Sequence, residues 1–179
     1  MENAITTNSP TVEVEVTLEL NDCVRANYWV LFKRFGFALI GLSIIGLPLF
    51  ILVIVNLLNP NVHNFNWPAL IPFSGVVLLL VQTYIVTRRN LAGNKALQQR
   101  IRYTFSEYGF EALSASSSGR SNWENIPDAY ETKHNFLLFI AKNLMYTIPK
   151  RCFSNPEDIR NFRTLLSQGL GTKARLRRD

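Results

Sequence analysis

Two histidines and two cysteines are the side chains best suited to nucleophilic or metal chemistry in this chain: His63, His134, Cys23 and Cys152. A thiol beside an imidazole could attack an electrophilic carbon or phosphorus. His134 and Cys152 lie on the same side of a long uncharged block, but their spacing places them on no common element. A solvated turn histidine beside Lys133 and a packing cysteine are the plainer readings. Glu107, Glu111, Glu124, Asp128 and Glu131 are scattered over strand and turn positions, as on a solvated surface. Neither a nucleophile elbow, a phosphate-binding glycine loop, a zinc helix motif nor a paired CxxC occurs. No catalytic residue, no metal ligand and no cofactor is therefore expected.

Two basic groups could make contacts rather than do chemistry. Lys150 and Arg151 follow an apolar run that ends at Pro149, and Lys173, Arg175, Arg177 and Arg178 form a basic tail. Near an anionic leaflet each base is worth about 1 kcal/mol of attraction. These six are the expected contacts to lipid or to a partner. The bases are not interleaved with exposed aromatics, so no nucleic acid is expected. Trp123 reads as a core anchor for a small sheet.

The charge distribution positions these groups. No Asp, Glu, Lys or Arg occurs from Phe35 to Thr87, whereas residues 88–179 carry sixteen bases against eight acids. Inside the uncharged block lie two apolar runs, 35–58 and 67–87. A helix of about 20 apolar residues crosses ~30 Å of hydrocarbon, so both runs are expected to span a membrane. Lys33 and Arg34 before the first run, and Arg88, Arg89 and Lys95 after the second, place both termini in the cytoplasm. The short connector 59–66 and Trp67 then lie outside. Asn56, Gln82 and Thr83 are the expected contacts between helices, since polar side chains hydrogen-bond across membrane helices. The acids near the N-terminus argue against a signal peptide.

The flanks read as a sheet. Val12, Val14, Val16, Leu18 and Leu20 alternate with polar residues, the period of a half-buried strand that needs a partner. Asn21 or Asp22 would cap a short helix leading to the first span. After residue 100 the pattern is strand-like: RIRYTFS, a turn at Gly109, FEALSA, a loop at SSSGRSN, then WENIPDAYET, FLLFI and LMYTI. Pro127 suggests an edge or a bulge. Asn155 or Ser154 with Pro156, Glu157 and Asp158 begins an amphipathic helix that buries Ile159, Phe162, Leu165 and Leu166 and ends near Gly169 and Gly171.

YTFSEYGFEA, the SNWENI stretch and FLLFIAKNLMYTIPKRCF, framed by an N-terminal strand and a capped final helix, resemble the YcxB-like family. The most specific pieces are Tyr103 to Gly109, Trp123 and Ile148–Arg151. The resemblance implies an α+β membrane protein of the bacterial cytoplasmic (inner) membrane. A two-helix transmembrane hairpin would be inserted between the first strand and the rest of a small pleckstrin-homology-like (PH-like) antiparallel domain closed by a C-terminal helix. The parts would be 1–34 (strand and lead-in helix), 35–87 (hairpin), 88–168 (cytoplasmic domain) and 169–179 (basic tail). The expected function is a membrane-anchored, non-enzymatic binding or scaffold module that presents its cytoplasmic domain to a protein partner, another copy or an anionic lipid surface. The alternative is an accessory or immunity-type subunit acting through its hairpin on another membrane protein.

Overall fold

Val12, Val14 and Val16 are buried while Glu13 and Glu15 are exposed, as strand alternation requires. The computed structural model describes residues 11–58, 71–142 and 144–177. Within them β1 (Val12–Val16) finds the partner its pattern demands. It pairs antiparallel with β2 (Ile101–Ser106), Val14 opposite Tyr103. β3 (Gly109–Ser114) and β4 (Ser118–Asn122) complete a first sheet of order β1-β2-β3-β4.

The stretch 116–122, expected as a loop, largely forms β4. The Ser114 backbone N–H bonds Ser117 O at 2.8 Å, and the Ser117 N–H bonds Ser114 Oγ at 3.0 Å. This local turn folds a Ser- and Gly-rich segment back onto β3, although the segment has little strand propensity of its own. Opposite it, Gly109 lets two backbones meet closely, since a Cβ there would stand 2.2 Å from Ser121 O.

The second sheet has order β7-β6-β5-β8, built from β5 (Asp128–Glu131), β6 (Asn135–Ala141), β7 (Leu144–Pro149) and β8 (Ala174–Arg175). Its pairs are antiparallel except β5 with β8, which is parallel. Pro127 lies just before β5, which has a neighbour on both sides, so it marks neither an edge nor a bulge. Trp123 begins a single 3-10 turn, Trp123–Asn125, rather than a strand.

A short α3 (Lys95–Gln98) precedes β2, and α4 (Pro156–Leu170) closes the sheets. Asn155 Oδ1 accepts from the Asp158 N–H at 2.7 Å, and Pro156 supplies the first turn. The buried face of α4 carries Phe162, Leu165, Leu166 and Leu170. Phe162 is the wedge between the sheets, 4.4 Å from the Phe105 ring of β2 and 4.9 Å from the Phe136 ring of β6. Fully burying one such ring contributes about 1.5–3 kcal/mol.

The chain divides into two units, one holding residues up to Cys23 and from Leu91 onward, the other Val24–Asn90. The second unit is helical. It comprises most of α1 (Leu20–Leu58) and α2 (Ile71–Gly93). Within it the Asn27 side-chain amide donates to Thr87 Oγ1 at 2.8 Å, and the Tyr28 hydroxyl donates to Leu80 O at 3.0 Å. Phe37, Ile40, Ile44 and Leu78 are exposed.

Among the described residues no helix is long and apolar enough to cross a membrane. This overturns the expected transmembrane hairpin, and with it the multi-pass inner-membrane localisation with both termini cytoplasmic. The described α2 begins at Ile71, four residues after the apolar run read from sequence. Gln82, Thr83 and Tyr84 then interrupt it, and Arg88 and Arg89 follow. In α1, Asp22, Arg25, Lys33 and Arg34 belong to the same continuous helix as the uncharged residues. The short lead-in helix is thus absent as a separate element. Asp22 does not begin α1 either. From inside the first turn its Oδ2 reaches back to the Glu19 N–H at 3.1 Å, one half of a capping box. The fold class observed is α+β with two four-stranded sheets. The connector 59–66, Trp67 and His63 lie outside the described residues.

Candidate functional site

β5 ends on Glu131, whose carboxylate is fully buried and is the best-connected charge in the sheet unit. Lys150, in the 3-10 turn that follows β7, donates from Nζ to Oε1. Arg163, one position past Phe162 on α4, donates from Nε to both carboxylate oxygens at 3.0 Å and from a terminal nitrogen to Oε1 at 2.7 Å. The backbone N–H of Arg177 completes the set on Oε2 at 3.2 Å. Three donors, from the 3-10 turn, from α4 and from just beyond β8, therefore converge on one carboxylate. Burial pushes the Glu131 carboxyl up. The hydrogen bonds and charges of Arg163 and Lys150 outweigh it and hold the carboxyl below the ordinary range. An anion so saturated is poorly placed to take a proton from a substrate. Its role is to lock the ends of two elements to α4.

Lys150 and Arg151 are both engaged within the chain. Besides Glu131, Lys150 Nζ lies 5.1 Å over the Phe136 ring. Arg151 donates to Thr17 O at 2.8 Å and to Asp22 Oδ2 at 2.6 Å, and stands 3.1 Å from Glu19. Asp22 is in turn nearly inaccessible, and its backbone carbonyl accepts from the buried Asn135 side chain at 3.1 Å. Lys150 and Arg151 thus bind two different corners of the sheet unit.

The basic tail is partly a strand. Lys173 is exposed on a 3-10 turn, Arg175 lies in β8 with its guanidinium 5.3 Å over the Tyr130 ring, and Arg177 bonds Glu131 through its backbone. Arg178 lies outside the described residues. Gln82 and Thr83 line a shallow groove of the helical unit with Asn27, Val30 and Thr87. The Thr83 hydroxyl is bonded to its own helix at Leu79 O. Asn56 lies in α1, with its side chain outside the description.

His134 is exposed in the turn between β5 and β6, and its carbonyl accepts from the Lys150 N–H at 2.8 Å. Cys23 and Cys152 are free, and burial pushes both thiols up. Trp123 is a core residue, buried, with its indole N–H on Ser106 O at 2.9 Å. Among the described residues no group of three His, Cys, Asp or Glu could hold a metal ion.

Two adjoining open grooves lie on the outer face of the first sheet. One, of about 330 Å³, is lined by Arg102, Thr104, Glu111, Leu113, Ser118 and Arg120. The other, of about 360 Å³, shares Thr104, Glu111 and Arg120 and adds Tyr108 and Asn122. Arg120 and Glu111 sit opposite each other in the β3–β4 register and pair at 2.7 Å. Residues from three strands converge here, a convergence that strand alternation foretold only once the register was known.

Residues 105–166 match the YcxB-like protein family. This YcxB-like segment includes Glu131, Lys150 and Arg163, the groove residues from Glu111 to Arg120, and all of the wedge Phe105–Phe162–Phe136. It leaves out β1 and β8. A curated relative, the "Uncharacterized protein YcxB" of Bacillus subtilis (strain 168), is 25% identical over 97 residues. The match covers 54% of this chain and 52% of the relative, so the chain spans about half the length of that protein. No solved structure matches the chain.

Sequence reasoning treated Glu131 as solvated surface, did not single out Arg163, and named Asp22 only as a candidate helix cap. Glu131 is 19 residues from Lys150 and 32 from Arg163. The one usable signal was local. A carboxylate closing DAYE, next to a strand-breaking turn, stands at a strand end where a helix could reach it.

Proposed function

We propose that the sheet unit is a non-enzymatic binding module that offers the outer face of its first sheet to a protein partner. The observation that carries this reading is the pair of open grooves sharing Thr104, Glu111 and Arg120. They mix apolar, hydroxyl and charged groups over neighbouring strands, the composition of a polar recognition surface. Glu131, Lys150 and Arg163 support the reading indirectly, because they are consumed in holding the fold. Lys150 and Arg151 are paired to internal carboxylates, which favours a protein partner over an anionic lipid surface. Two sheets closed by a C-terminal helix also support reading the YcxB-like segment as pleckstrin-homology-like.

Photo-crosslinking tests this. A photoreactive residue placed at Thr104 or at Ser118 in the full chain should give an adduct of one defined mass. The adduct should be lost when Arg120→Glu is added, and a probe at Arg160 on α4 should not give it. Adducts that ignore Arg120, or that form equally at position 160, would overturn the proposal.

A further inference from the structure

After α4 the chain turns at Gly171, whose φ of +54° only glycine adopts without strain. Residues 174–177 then run along the edge of β5. Ala174 lies opposite Ala129 and Arg175 opposite Tyr130. Two side-chain contacts and one backbone hydrogen bond hold this short segment. The Arg175 guanidinium sits 5.3 Å over the Tyr130 ring, Leu176 packs half-buried against the core, and the Arg177 N–H bonds the buried Glu131.

The two sides of this contact are unequal. On the acceptor side Tyr130 is buried, and Glu131 is pinned by Arg163 and Lys150, which come from other elements. On that side the Arg163 and Lys150 donors to Glu131 lie outside the strap. The strap pairs over only two residues, and Lys173, Arg175 and Arg177 are exposed. A short extended segment on a strand edge, with one apolar residue inserted and flanking residues read by a ring and a carboxylate, is how β-augmenting peptides are recognised. Removing it would uncover a strand edge that proteins ordinarily keep covered.

We infer that the β5 edge is a peptide-binding groove held closed in cis by residues 174–177, and that its ligand in trans is an extended partner segment of the pattern small–Arg–apolar followed by any residue with a free backbone N–H. Arg175 stands in for a cation over Tyr130, and Leu176 for an apolar anchor. The Arg177 amide stands in for a backbone donor to Glu131. The inference concerns a different sheet from the groove proposed above, and either can fail without the other.

The probe is a fluorescein-labelled peptide of residues 172–177, Thr-Lys-Ala-Arg-Leu-Arg, titrated by anisotropy against the full-length chain and against a full-length Arg175→Ser/Leu176→Ser variant. An added peptide competes only for the fraction of molecules with the strap off, so the variant should bind about tenfold more tightly than the native chain. A peptide carrying Glu at both Arg positions should bind neither. Arg175→Ala alone, which removes one exposed side chain, serves if the double variant loses its circular-dichroism signature. Equal binding to native and loosened chains, binding of the charge-reversed peptide, or no binding to any folded variant would each overturn the inference. A native dimer that dissociates on Leu176→Ser, read by light scattering, would assign the groove to a second copy and overturn the partner reading. Retention of the Arg120-dependent adduct alongside no peptide binding would leave the first-sheet groove standing and remove the strap alone.

Discussion

The Trp123 indole lies directly against Gly169, so closely that a Cβ on Gly169 would stand 2.5 Å from two ring atoms. The ring belongs to the turn before β5, and the glycine sits one residue from the end of α4. The indole N–H is fixed on Ser106 O and the ring is stacked near Phe105, so it has little freedom to retreat. A glycine inside a helix usually weakens it, by up to about 1 kcal/mol against alanine. Here the close approach is the reason for it.

Gly169→Ala should therefore lower stability despite its gain in helix propensity. Overpacking costs about 1–3 kcal/mol, which exceeds the propensity term. Thermal unfolding checks this, and an unchanged or raised Tm would show that the ring yields.

Replacing Glu131 by Gln leaves Lys150 and Arg163 facing each other without their shared anion. Breaking a buried pair from one side costs about 3 kcal/mol or more. Urea unfolding at neutral pH should show a loss of this order, and a neutral result would mean that the triad contributes little.

The same carboxylate sets a pH dependence. Its folded pKa is lowered, so its stabilisation is fully present above the ordinary carboxylate pKa of ~4.3 and is lost as pH falls through the folded value. The native chain should lose stability steeply on acidification through that window. Glu131→Gln should lose the part due to this group, and parallel pH profiles for the two chains would contradict the assignment.

Asn155→Ala removes the side-chain acceptor for the Asp158 N–H and should cost about 1 kcal/mol. Asn155→Ser should recover most of it. If alanine and serine behaved alike in unfolding, the cap would not be operating.

Cys23 and Cys152 are partly buried and their thiols are pushed up by that burial, so few are thiolates at neutral pH. Labelling by a soluble thiol reagent should be slow for the native chain and fast in denaturant. Rapid native labelling at either cysteine would mean that its surroundings open.

How much of this was legible before the fold was known differs from residue to residue. The α4 cap was readable, because Asn155, Pro156 and Asp158 act within one turn and need nothing distant. The strand character of Val12–Val16 was readable for the same reason, since alternation is a local property, but the alternation was carried on through Leu18 to Leu20, whereas β1 stops at Val16 and Leu20 begins α1. The role of Trp123 as a core anchor followed from its size. The 116–122 segment was misread because its pairing comes from the β3 edge beside it. The 35–58 and 67–87 runs were read as spans from composition, and helix limits and interrupting polar residues, which composition does not carry, decided otherwise.

The sequence by itself determined the strands with a clear apolar period and the capped helix, because period and capping depend on neighbours a few bonds away; β4 and β8, which lack that period, were not among them. Only the tertiary structure decided that Glu131 is a buried hub rather than a surface acid, that Arg175 meets Tyr130, and that Gly169 makes room for Trp123. Those relationships join residues tens of positions apart. The free energy of burying a charge or seating a ring depends on which groups the fold brings into contact, and no local pattern encodes that.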